Sequence, residues 1–178
     1  MRMVKKMSKK TKELLVSAFL DFINDEEFDK ITVTDLVDKC SISRQTFYYH
    51  FEDIHNMLVW AFGQEISLIC DSQDPDDWEK TEKKFIEFFK KYDMLLRKSI
   101  KSTDFLFIIN LIDKSFYDFI TSYISIKRRN EANFGKNADY VISYTAGAYT
   151  SLVLKTIQCE KSNYETIINN LSTSLKGI

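Results

Sequence analysis

The run Arg44-Gln-Thr-Phe-Tyr-Tyr-His-Phe51 gathers the side chains best suited to chemistry with a nucleic-acid partner. Arg44 can present paired donors to guanine O6 and N7, Gln45 can bridge adenine N6 and N7, and Thr46 offers a methyl to that of thymine. Tyr48, Tyr49 and His50 carry donors that suit phosphate oxygens, contacts that fix orientation rather than sequence. Phe47 and Phe51, one helical turn apart, suit a core instead. The competing reading is an aromatic core strip with two tyrosines at its rim.

Two short helices are needed to position that face. Thr32 is a good N-cap with Asp35 three residues on, and Ser43 can cap a second helix beginning at Arg44. Ile31 with Leu36, and Ile42 with Phe47, have the spacing of hydrophobic staples, which set the angle at which chain enters helix. Two such short helices bury little alone and must dock on a third. The pattern predicts a helix-turn-helix, with Leu14, Leu15, Ala18, Phe19, Phe22 and Ile23 lining the supporting helix.

These residues resemble the TetR family of bacterial transcriptional regulators. The match runs from about Lys10 to Leu58 and rests on Thr32, Asp35, Ser43 and Thr46-Phe47-Tyr48-Tyr49-His50-Phe51. Two positions depart from the family's pattern. Ser41 stands where the turn usually has Gly, a place that calls for left-handed backbone. Ile54 stands where a phosphate-touching Lys is usual, with His55 or Lys39 as the candidate substitutes. The short C-terminal half resembles the branch that includes activators of dihydroxyacetone kinase operons, some of which answer to a protein coregulator.

The resemblance implies an all-α protein: a helix-turn-helix DNA-binding domain (1–52), a connecting helix (53–74) and a helical effector-binding and dimerisation domain (75–178). Thr32, Thr34, Ser43, Arg44, Gln45, Thr46, Tyr48, Tyr49 and His50 are the expected DNA contacts. The partners expected are double-stranded DNA, a second copy of the chain and a small hydrophobic effector, with no membrane and no cofactor. The function expected is that of a homodimeric regulator, read as a repressor, on a palindromic operator. The alternative is a helical protein-interaction adaptor, or a coregulator-dependent activator, with weak or lost DNA binding; Ser41 and Ile54 favour it.

Composition is compatible with this. The 178 residues carry a formal net charge of −1, so charge for DNA must be local. It concentrates in Arg2, Lys5, Lys6, Lys9, Lys10 and Lys12, all preceding Glu13. Cations in a first helical turn oppose the helix dipole, which is easier to understand if they meet phosphates; a solubilising tail is the other reading. Cys40, Cys70 and Cys159 form neither a disulfide framework nor a zinc motif, pointing to a reducing cytoplasm. The longest apolar run, Phe105 to Ile112, is far short of the roughly 20 residues that cross a bilayer.

One Pro and four Gly argue for helices nearly throughout. Asp53 is expected to cap a helix reaching Cys70, with Gly63 permitting a bend, and the stretch Asp71 to Asp77 marks the boundary. Helices are then expected over Trp78 to Ile100, from Thr103 or Asp104 through Tyr123, over Ala138 to Gln158 and over Tyr164 to Leu175, the last opened by Ser162 with Glu165. Lys127 to Asn137 reads as a loop.

In this half, Phe88, Tyr92, Phe116 and Tyr144 are the candidate ligand contacts. Gly147, Leu154, Ile157, Ile168 and Leu171 are the candidates for a two-fold helical bundle between protomers. Nothing suggests an enzyme: His50 and His55 are five apart on different helices, and no phosphate loop, serine elbow or acid–base pair is recognisable.

Overall fold

The computed structural model describes residues 2–73, 79–127, 138–159 and 163–176, with side chains from Lys9 onward except those of Lys127, Ala138, Ser172 and residues 174–176. The described residues form helices and no strand. They are α1 (Arg2–Asp25), α2 (Val33–Lys39), α3 (Arg44–His50), α4 (Ile54–Cys70), α5 (Glu79–Ser99), α6 (Phe105–Lys127), α7 (Ala138–Ile157) and α8 (Tyr164–Lys176), plus a 3-10 turn at Phe28–Lys30. No helix among these residues is long and apolar enough to cross a membrane.

The chain divides into two compact units, and α4 and α5 each contribute to both. The first holds residues up to Gly63 together with Met94–Phe105; the second holds Gln64–Asp93 and everything from Leu106. The segment from Met94 to Phe105, expected in the C-terminal domain, therefore groups with the helix-turn-helix. Polar contacts explain why. Lys98 Nζ donates to the carbonyls of Asn24 and Glu26, both at 3.0 Å, serving as a remote cation for the C-terminal end of α1. The Asp29 carboxylate accepts from the Ser102 hydroxyl and, at 3.3 Å, from the Thr103 N–H. His55 Nε2 lies 2.9 Å from Asp104. Such pairings are long-range in sequence, and no periodicity encodes them.

Within the first unit, α2 packs on α1 and α3 on α2. Leu15, Phe19, Leu36, Phe47 and Leu58 are each wholly buried. Phe19 and Phe28 meet edge to face at 5.7 Å, and Phe51 lies 5.9 Å from Phe47 and 5.8 Å from Trp60. Edge-on and offset ring pairs contribute about 0.5–1.5 kcal/mol beyond their buried area, so this small core is held more firmly than its size implies.

The second unit has a core of rings. Phe85 stacks on Phe116 and meets Phe119 edge to face at 4.5 Å, while Phe89 stacks on Tyr164 at 5.1 Å. Tyr164 donates its hydroxyl to Asp93 at 2.5 Å, giving a buried ring its polar partner. Gln73, just beyond α4, donates to the Phe119 carbonyl at 3.0 Å and accepts from Ser122 at 2.9 Å, which ties the end of α4 to α6. Helix α8 packs on α7. It starts at Tyr164 as expected, but the cap is Asn163, whose Oδ1 accepts from the Thr166 N–H at 3.1 Å in the N-cap manner. The expected cap Ser162 lies outside the described residues, as do most of the Lys127–Asn137 stretch and the end of the Asp71–Asp77 stretch.

Candidate nucleic-acid interface

Local chemistry sets the two helices of the motif. Thr32 and Asp35 form a complete capping box on α2: the Asp35 N–H donates to Thr32 Oγ1 at 3.3 Å, and the Thr32 N–H donates to Asp35 Oδ2 at 2.8 Å. The Thr32 hydroxyl also donates to that carboxylate at 2.6 Å. These bonds, the hydroxyl's first, hold the Asp35 carboxyl below its usual range. Ser43 caps α3, its hydroxyl accepting from the Thr46 N–H at 3.1 Å. Both expected caps are therefore in place.

The turn between them has a left-handed residue. Ser41 sits at φ 54°, the non-glycine residue of positive φ among the described residues. The Ile42 N–H donates to the Val37 carbonyl at 3.0 Å, and the Ser41 N–H to the Asp38 carbonyl at 3.1 Å. That is a Schellman ending with serine where glycine is usual. The motif keeps its geometry at the expense of some backbone strain.

Helix α3 then divides its faces. Phe47 is wholly buried, whereas Tyr48 is 59 % and Tyr49 77 % exposed. Arg44 and Gln45 are exposed, and Thr46 and His50 half-buried. Arg44 does not dangle: its Nη2 donates to Thr34 Oγ1 at 2.5 Å, bridging from α3 to α2. Thr46 and Ser43 share a hydroxyl contact of 2.9 Å. The rings of Tyr49 and His50 meet edge to face at 4.9 Å. Burial first, and then the Lys12 ammonium, hold the His50 imidazole below its ordinary value, so it is neutral near pH 7.

All nine residues expected to touch DNA lie in this motif, but their hydroxyls are not equally free. Thr32 spends its single O–H on Asp35, so in this state it has no proton to give a phosphate. Thr34 receives Arg44, so its oxygen orients a neighbour. The two substitutes for the missing lysine at Ile54 are also engaged. Lys39 pairs with Asp21 at 3.0 Å and lies over the Phe22 ring, and His55 pairs with Asp104. Of the basic N-terminal residues, Lys9 faces Glu13 at 3.8 Å, and the side chains of Arg2, Lys5 and Lys6 lie outside the described part.

The residues expected in the second unit separate in space. Phe88, Tyr92 and Phe116 are all buried, with Phe88 and Tyr92 in ring contact at 5.2 Å, while Tyr144 is 80 % exposed and does not join them. Burial, then the Glu65 carboxylate, push the Tyr92 hydroxyl well above its ordinary value. Beside Phe88 a groove of about 300 Å³ runs between α4 and α5, edged by Leu68, Lys84, Lys91 and Glu65. Its lysines are engaged: Lys91 pairs with Glu65, and Lys84 donates to the Leu68 carbonyl at 2.9 Å.

Of the expected dimer residues, Ile157, Ile168 and Leu171 are buried in the protomer's own core, Leu154 is half-buried and Gly147 is exposed. A side chain already enclosed by its own chain has little surface left for a partner. The exposed face of α7 lies elsewhere, along Tyr140, Tyr144, Gly147, Ser151 and Leu152.

No family model matches the chain. Across 178 aligned positions it is 24 % identical to the HTH-type dhaKLM operon transcriptional activator DhaS of Lactococcus lactis subsp. lactis (strain IL1403), covering 93 % of this chain and 91 % of that one. In structure it is similar to a dihydroxyacetone kinase operon activator DhaS, with a TM-score of 0.71 and 17 % identity over 94 % of each chain. These likenesses bear out the resemblance to TetR-like regulators of that branch, and with it the all-helical fold. Both similar proteins are regulators by name and not enzymes.

Proposed function

We propose that this TetR-like chain is a sequence-specific DNA-binding transcriptional regulator that acts as a homodimer on a two-fold symmetric site. The observation that carries the reading is the division of α3: Phe47 anchors it while Arg44, Gln45 and Tyr49 face solvent. An aromatic strip serving only as core would bury both tyrosines, and the bond to Thr34 holds the Arg44 guanidinium in place at the exposed start of the helix.

On this reading Arg44, Gln45 and Thr46 read base edges in the major groove, and Tyr48, Tyr49 and His50 take phosphates. Thr34 and Ser43 assist at the helix N-terminus. Thr32 contributes as the cap. One such helix makes too few contacts for operator-grade specificity, so two copies occupy successive major grooves about 34 Å apart. The exposed α7 face, with Tyr140 and Tyr144 flanking the small Gly147 and Ala148, is the surface we assign to the second copy. Aromatic residues beside small ones are apt at the centre of an interface, where flat rings meet closely approaching backbone.

Control would enter through the second unit, since α4 and α5 run unbroken from one unit into the other. An effector must bind one state better than the other, or nothing moves. The ring core around Phe88, Tyr92 and Phe116 is filled by its own side chains, and the groove beside Phe88 is the space for a small apolar-and-charged ligand. As to sign, repression follows from the family at large, but the Lactococcus relative is named an activator, and that likeness favours activation.

Selection of bound duplexes from a random pool tests the reading. A two-fold consensus with half-sites one helical turn apart supports it. Recovery of no consensus, with affinity flat against salt, would instead favour the protein-interaction adaptor.

A further inference from the structure

Lys12, on α1, holds its ammonium 4.9 Å from the centre of the Phe51 ring and 5.2 Å from that of Trp60. Phe51 is the residue that ends the recognition helix, and the same ammonium acts on the imidazole of His50. The side chain is half-buried, and among the described residues it has no ion pair. Its neighbours contrast with it. Lys9 faces Glu13, Lys39 faces Asp21 and Arg44 is held by Thr34.

A lysine laid across two rings has already given up much of the rotamer freedom that an exposed lysine loses on meeting an anion. The ring faces favour the cation without neutralising it, so its charge remains available. The surroundings call for such a charge. The trailing end of α3 presents helix C-terminal carbonyls, and the next residues are Glu52 and Asp53, with Asp53 Oδ1 accepting from the Asn56 N–H at 2.6 Å. A DNA strand passing this end meets negative potential unless a cation intervenes. Ile54 supplies none.

We infer that Lys12 is a DNA-contacting residue, an ordered cation that binds a backbone phosphate beside the trailing end of α3. The assignment rests on the regulator reading above and names a contact outside the helix-turn-helix. Its alternative is structural: Lys12 only complements the helix dipole and packs on Phe51 and Trp60.

The full chain, its Lys12→Met, Lys12→Arg and Lys39→Met variants, and a fluorescein-labelled duplex of the consensus selected by wild type separate the two. Affinity is measured by anisotropy across a salt series. Lys12→Met keeps the stem over the rings and removes the charge. It is expected to flatten the plot of log affinity against log salt by about 0.9 per protomer, and to weaken consensus and scrambled duplexes by the same factor. Lys12→Arg restores the slope, and Lys39→Met leaves it alone.

An unchanged slope in Lys12→Met, with wild-type binding intact, overturns the assignment and leaves the regulator reading standing. A wild type that binds no duplex overturns both. Should Lys12→Met fail to fold, acetylation of wild-type lysines with and without the duplex decides: slowed modification of Lys12 beside unchanged Lys39 supports the contact, and equal rates overturn it.

Discussion

Replacing Ser41 by glycine should make the protein more stable. At φ 54° the serine occupies the left-handed region, where an L side chain costs about 1–2 kcal/mol. Glycine escapes that cost but loses about 0.5–1 kcal/mol of additional chain entropy on folding. The Ser41 side chain is exposed and its backbone bond to Asp38 survives the change, so nothing else need be subtracted. The difference spans about 0–1.5 kcal/mol, with a central gain of roughly 0.75 kcal/mol. For a chain of this size that raises the melting temperature by about 1–4 °C. In urea, the midpoint monitored by circular dichroism should rise by a few tenths of a molar with an unchanged slope. Ser41→Val should move it the other way, because a β-branched residue fits left-handed backbone worst. A glycine variant clearly less stable than wild type would refute the left-handed geometry at Ser41, and with it the Schellman ending of α2.

Two further outcomes follow from the geometry. Ser102, and then Thr103, hold the Asp29 carboxyl below its ordinary value of 3.8, so the folded state favours the charged form. That stability is present above pH 3.8 and is lost as pH falls through the lowered folded value; urea midpoints of wild type should drop on that limb relative to Asp29→Asn, and parallel curves would contradict the contact. Tyr144→Arg, at a position 80 % exposed, should leave the melting temperature unchanged yet weaken self-association at least about tenfold in sedimentation velocity, whereas an unaltered dimer would move the interface off α7.

The sequence alone was most legible where the governing interactions are local. Thr32 with Asp35, and Ser43 with Thr46, lie three residues apart, so caps and helix starts followed from spacing. Ser41 was readable as a left-handed position through the family resemblance, whose turn usually carries Gly there, and its φ of 54° agrees. In the second unit, stripes of apolar residues predicted helices but did not say which stripe meets which. Ile157, Ile168 and Leu171 went inward and Tyr144 outward, because a face is assigned by tertiary packing: α7 carries apolar residues on more than one side, and the single apolar stripe of α8 is buried within its own protomer. The tie of Lys98, Ser102 and Asp104 to the first unit joins positions about 50–75 residues apart, beyond any pattern of period two or 3.6. Lys12 was visible only as one of six early cations; the rings beneath it distinguish it from the rest.

If α3 reads bases, Arg44 is the side chain whose loss shows it most directly. Bound sequences selected from a random pool by wild type and by Arg44→Ala should differ at one base pair of each half-site, where the variant loses a preference of about 1–3 kcal/mol while its other positions stay as they were. Identical consensus sequences from the two proteins would contradict the claim that this helix enters the groove by its arginine end.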